Sequence, residues 1–108
     1  RGFAAAAALD HMQTKEQEAA VLAYIKEHKA TAVLRTNDEE FAPKAMDAAI
    51  EGGFKILEFT LTTPGCLKMV KDYSPRDDVL VGCGTVMTVE QAEAAMAAGA
   101  KFLVSPCI

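Results

Sequence analysis

The sequence predicts an α/β fold of parallel strands joined by helical crossovers, and three observations predict it. Short β-rich runs begin near residues 32, 56, 79 and 102, a step of roughly 23 residues. Amphipathic stretches with helix-start signals fill the intervals between them. The segment Ala48-Ala49-Ile50-Glu51-Gly52-Gly53-Phe54-Lys55-Ile56-Leu57 also lies over Ala94-Ala95-Met96-Ala97-Ala98-Gly99-Ala100-Lys101-Phe102-Leu103 at twice that step. Strands and helices alternating at fixed length imply parallel pairing with right-handed crossovers. Four such strands make half of an eight-stranded α/β barrel, or an open doubly wound sheet.

Each element has a local reason. Thr14-Lys15-Glu16-Gln17 has the form of a capping box, and Val21, Leu22 and Ile25 behind it share a face, which predicts a helix over 14–29. Thr31-Ala32-Val33-Leu34-Arg35-Thr36 reads as the first strand. Asn37-Asp38 then starts a second helix, with Glu39 and Glu40 at its positive end. Pro43 fits if that helix begins near Glu40, Met46, Ala49 and Ile50 form its apolar stripe, and Gly52-Gly53 stop it. Ile56-Leu57-Glu58-Phe59-Thr60-Leu61 is the second strand. Thr63-Pro64 reads as a helix cap followed by proline at the first helical position. Val79-Leu80-Val81-Gly82-Cys83-Gly84-Thr85 is a third strand, Thr88-Val89-Glu90-Gln91 a second capping box, and Phe102-Leu103-Val104-Ser105-Pro106 a fourth strand.

Composition narrows the function classes. The chain has 108 residues, enough for one small core, and a net charge of −4 with no basic cluster, which argues against a nucleic-acid surface. No apolar run is long enough to span a bilayer, so no membrane partner is expected. Cys66, Cys83 and Cys107 are widely spaced and odd in number, the pattern of reduced thiols in a cytoplasmic protein. His11 and His28 both precede the strands that carry polar groups, so neither a Ser-His-Asp triad nor a histidine metal site is expected. Residues 1–12, with the run Ala4-Ala5-Ala6-Ala7-Ala8 and no starting methionine, read as a targeting remnant or a cloning remnant. A targeting remnant would place the protein in an organelle matrix instead. The domain proper is expected over 13–108.

The chemistry gathers at one end of the strands. Side chains alternate along a strand, so Leu57, Phe59 and Leu61 face one way while Glu58, Thr60 and Thr62 face the other. A glutamate inside an apolar run is costly to bury unless a partner or a polar cavity receives it. A paired structural carboxylate is the plain reading. In a parallel barrel, however, the carboxyl ends of the strands form the active-site mouth. Those ends carry Arg35-Thr36, Glu58 with Thr60 and Thr62, Thr85, and Ser105-Pro106. A carboxylate, a guanidinium and several hydroxyls suit an anionic, carbonyl-bearing substrate and a proton-transfer step. Thr60 and Thr85 are equally good strand formers with no further role. Gly82-Cys83-Gly84 invites a nucleotide-binding reading, but Met87 stands where the motif needs its third glycine.

These stretches resemble the 2-keto-3-deoxy-6-phosphogluconate / 4-hydroxy-2-oxoglutarate aldolase family. The resemblance rests on Ala32-Val33-Leu34-Arg35-Thr36, on Ala48-Ala49-Ile50-Glu51-Gly52-Gly53, and on Leu57-Glu58-Phe59-Thr60-Leu61. It continues through Val81-Gly82-Cys83-Gly84-Thr85-Val86 and Ala98-Gly99-Ala100-Lys101-Phe102-Leu103-Val104-Ser105-Pro106. It implies the N-terminal half of a TIM (β/α)8 barrel, from about Thr14 to Ile108. It further implies a class I aldolase, commonly a homotrimer, that forms a Schiff base between a lysine and a keto acid and needs no metal or other cofactor. Glu58 matches the family's proton-relaying glutamate, Thr85 and Pro106 match residues lining the pyruvyl pocket, and Arg35 matches a substrate-contacting arginine. Thr62 stands where many members carry an arginine that pairs with the substrate carboxylate, and Cys107 where a glycine usually follows Ser-Pro. The imine-forming lysine belongs to the family's sixth strand, beyond Ile108. Lys55 and Lys101 precede their strands and so fall at the opposite end from the mouth; Lys44, Lys68 and Lys71 belong to covering helices.

Two other readings stand beside this one. The chain could be a non-catalytic half-barrel acting as an assembly piece, or a relative of another phosphate-handling barrel enzyme such as thiamine phosphate synthase. Formation of an imine with pyruvate separates both from an aldolase.

Overall fold

Residues 13–107 are described by the structure, a computed structural model. The leader expected over residues 1–12 lies outside them. Four strands, β1 (Thr31–Leu34), β2 (Ile56–Thr60), β3 (Leu80–Gly84) and β4 (Phe102–Leu103), form one parallel sheet in the order β1-β2-β3-β4. The helices α2 (Phe41–Glu51), α3 (Cys66–Tyr73) and α4 (Val89–Ala98) are the crossovers, and α1 (Lys15–His28) precedes β1. Sequential strands that neighbour one another with a helix between each pair make the first half of an α/β barrel. A doubly wound sheet would need the strand order to reverse, and it does not.

Both capping boxes are present. Thr14 accepts from the Gln17 amide N–H while the Gln17 side chain accepts from Thr14, and Thr88 and Gln91 repeat the arrangement at α4. At α2, Asp38 Oδ1 accepts from the N–H groups of Glu40 and Phe41 at 3.0 Å each, which places Pro43 in the first turn as expected.

Three expectations need correction. Thr63-Pro64 does not start α3. The Thr63 hydroxyl is buried, accepts from the Thr36 N–H at 3.2 Å and makes no bond to α3; the chain turns through Pro64-Gly65 and the helix begins at Cys66. In α1, Leu22 is 58% exposed, and the half-buried stripe is Val21, Tyr24, Ile25 and His28 at helical spacing, with the Tyr24 hydroxyl donating to the Asp78 carbonyl just ahead of β3. The fourth strand is shorter than expected, ending at Leu103, although the Val104 N–H still donates to the Cys83 carbonyl.

The sheet has two unlike faces. Leu57 and Phe59 of β2, with Val81 and Cys83 of β3, pack under Ala42 and Met46 of α2, Met69, Val70 and Tyr73 of α3, and Ala95 of α4. Phe59 meets Tyr73 at a ring-centroid distance of 5.3 Å, and the Tyr73 hydroxyl donates to Asp47 Oδ1 of α2. The opposite face carries the row Val33, Glu58, Gly82 and Phe102, laterally paired across all four strands. One residue pair further along β2 and β3 the same face carries Thr60 and Gly84. No helix covers this second face among the described residues, and Val33 there is 58% exposed.

Candidate active site

Glu58 projects from the middle of β2 onto the uncovered face, as the alternation requires. It is half-buried and makes neither a hydrogen bond nor an ion pair with any described residue. Its direction is set by β3. Phe102 lies over Gly82, directly beside Glu58, while the Glu58 carboxyl leans toward the strand ends and over Gly84. Burial pushes the Glu58 carboxyl above the ordinary carboxylate range, and the Arg35 guanidinium works in the opposite direction with smaller effect. A carboxyl group poised this way can hold a proton and release it during a reaction.

The other candidate residues divide in two. Arg35, just past β1, donates from Nη2 to the Thr85 hydroxyl at 3.0 Å, spanning the mouth above Glu58. Thr85 adopts φ 61°, a left-handed conformation that costs a β-branched residue on the order of 1–2 kcal/mol. That turn carries the chain out of β3 and presents the hydroxyl to Arg35. Thr60 lies 1% exposed. Its hydroxyl sits 3.0 Å from Thr62 Oγ1 and 3.1 Å from Thr63 Oγ1, and it donates to the Leu34 carbonyl at 3.3 Å. This threonine cluster ties the exits of β1 and β2 together, with only Thr62 exposed to solvent. Pro106 is exposed two residues beyond the last hydrogen bond of β4. Arg35, Glu58 and Thr85 are therefore brought together, Thr62 stands over a structural cluster, and Pro106 marks the far rim.

The glycines are strand residues, not a phosphate loop. Gly82 and Gly84 lie inside β3, and α4 starts only at Val89 behind its Thr88 cap. No group of three His, Cys, Asp or Glu residues that could hold a metal ion occurs among the described residues.

The sequence pattern of the KDPG and KHG aldolases matches residues 21–108. The chain belongs to that family. It is 45% identical over 69 residues to the 2-dehydro-3-deoxy-phosphogluconate aldolase of Treponema pallidum, covering 63% of this chain and 32% of that enzyme. With the enzyme of the same name from Zymomonas mobilis it shares 36% identity over 74 residues, covering 68% of this chain and 36% of that one. The crystal structure of 2-keto-3-deoxy-6-phospho-gluconate aldolase from Zymomonas mobilis superposes with a TM-score of 0.64 at 35% identity, over 72% of this chain and 38% of that one. The chain thus spans about a third of the length of the curated relatives it matches. In this family member the uncovered sheet face is the inward face of the barrel half, and Glu58 lies on it.

Two features of the site escape a reading of residue types. Gly84 reads as part of a failed nucleotide motif, although its even spacing from Gly82 already places both on one strand face. The role of Thr63 is invisible because its partners, Thr36 and Leu34, are distant in sequence.

Proposed function

We propose that the protein carrying this chain is a class I aldolase. It cleaves 2-keto-3-deoxy-6-phosphogluconate to pyruvate and glyceraldehyde 3-phosphate, or 4-hydroxy-2-oxoglutarate to pyruvate and glyoxylate. The observation that carries the reading is the half-buried Glu58 carboxyl on the inward face, raised by burial and aimed at the strand ends beside Arg35 and Thr85.

In this proposal a lysine outside residues 1–108 attacks the substrate's keto carbon. Glu58 delivers the proton that lets water leave as the imine forms. It then accepts the proton of the C4 hydroxyl while the C3–C4 bond breaks, and the electron pair enters the imine to give an enamine. Protonation of the enamine at C3 and hydrolysis release pyruvate. Arg35 supplies positive charge toward the substrate's anionic end, held in place by Thr85. Thr62 offers a neutral hydroxyl in the same region, Thr60 stiffens its base, and Pro106 bounds the pocket beside the pyruvyl group. A homotrimer is the proposed assembly, with the remaining strands closing the barrel.

Borohydride reduction in the presence of pyruvate tests the reaction class. The full-length protein is expected to gain the mass of one reduced pyruvyl adduct on a lysine. Absence of any adduct, with the protein folded, would reject Schiff-base chemistry and leave the chain as a non-catalytic barrel piece.

A further inference from the structure

We propose that Gly84 is a positioning residue: the space left by its missing side chain is the seat of the Glu58 carboxyl group. A Cβ at residue 84 would lie 2.8 Å from Glu58 Cδ and 3.1 Å from Cγ, and closer still to Oε1. Two of these approaches are shorter than real Cβ atoms show, and the third is tight. Backbone conformation does not explain the glycine. Gly53, Gly65 and Gly99 adopt positive φ, whereas Gly84 does not and is an ordinary strand residue paired with Thr60. Alanine could adopt the same backbone, so the selection is for empty space.

Gly82 performs the matching task for another side chain. A Cβ there would strike the Phe102 ring. Glu58 is laterally paired with Gly82, so its nearest vacant ground would be over that residue. Phe102, reaching in from β4, already occupies it. The two glycines and the ring therefore force the carboxyl group one residue pair along, toward the mouth where Arg35 and Thr85 meet. Among the described residues, the charge that acts on Glu58 there is Arg35 from the β1 exit; Cys83 lies on the helix-covered face of β3. Glu58 half-burial, and with it the elevated proton affinity, follows from lying in this seat instead of standing out into the open face.

The inference deepens the proton-relay reading of Glu58 and rests on it for its catalytic meaning, but its geometry can be tested separately. In the full-length protein, Gly84→Ala is expected to turn the flexible end of Glu58 out of its seat, and the fall in Tm between acid and neutral pH that the buried carboxyl group causes should shrink with it. In a Glu58→Ala background, which removes all three crowded atoms, Gly84→Ala should leave the pH dependence of Tm unchanged. The alkaline limb of the kcat/KM pH profile, set by the protonated Glu58 that starts the reaction, should also move to lower pH in Gly84→Ala, because the displaced carboxyl group is better hydrated. An equal effect of Gly84→Ala on the pH dependence of Tm in both backgrounds, or an unmoved alkaline limb, would overturn the proposal. If Gly84→Ala alone does not fold, a folded Glu58→Ala/Gly84→Ala double variant supports the seat and an unfolded one refutes it. Should Glu58→Gln retain full turnover, the relay reading fails, and the stability cycle still decides whether Gly84 seats the carboxyl group.

Discussion

A carboxyl group held partly out of water, with no hydrogen-bond donor of its own, ionises reluctantly, and that reluctance links the proposed chemistry of Glu58 to stability. Its native affinity for a proton is raised above that in the unfolded chain. Between the ordinary carboxylate range and the raised native value, the native state keeps a proton that the unfolded state has released. The associated stability is complete in acid and is lost as pH rises through the native value. Glu58→Gln has the same shape and no charge to desolvate. It is expected to raise Tm at neutral pH and to converge with the wild type in acid, as thermal melts across pH would read out. A Gln variant less stable at neutral pH than the wild type would mean that the carboxylate gains more from Arg35 than it loses to burial. The same tension is visible at Thr85, where a left-handed backbone is kept at a cost and holds the hydroxyl that Arg35 needs.

At the scale of elements, local chemistry was a good guide wherever the local group had no better partner. The Thr14 and Thr88 capping boxes formed as written because nothing distant competes for those hydroxyls. Alternation along β2 placed Leu57 and Phe59 in the core and Glu58 opposite them, since one face is covered by helices and the other is not. Thr63 failed as a cap for the converse reason. Its hydroxyl is claimed by Thr36, Thr60 and Leu34 across the β1 and β2 exits, and that tertiary claim cannot be seen in a window of neighbouring residues. A pair of substitutions distinguishes the two roles. Thr63→Ser should be tolerated because it keeps the hydroxyl. Thr63→Asp, an equally good helix cap, should destabilise by about 2–3 kcal/mol because it places a carboxylate in a buried hydroxyl cluster. Urea midpoints measure both, and equal tolerance of the two would restore Thr63 to a capping role.

For the molecule as a whole, the repeat of about 23 residues was legible because each unit carries its own strand, crossover and stop signals. The inward face was less so. Glu58, Arg35 and Thr85 come from three units, and only the parallel register brings them to one mouth. The register also explains why Gly82 and Gly84 matter: they lie opposite and beyond a glutamate that is 24 or more residues away in the chain. An apolar Val33 and a half-buried Phe102 on that same face are suited to the interior of a closed barrel. The most direct test of the proposed chemistry is the turnover of Glu58→Gln in the full-length protein, with folding checked by circular dichroism. Loss of the relay is expected to lower kcat on the order of 10²-fold or more while the fold is kept. A folded Gln variant turning over at the wild-type rate would contradict it.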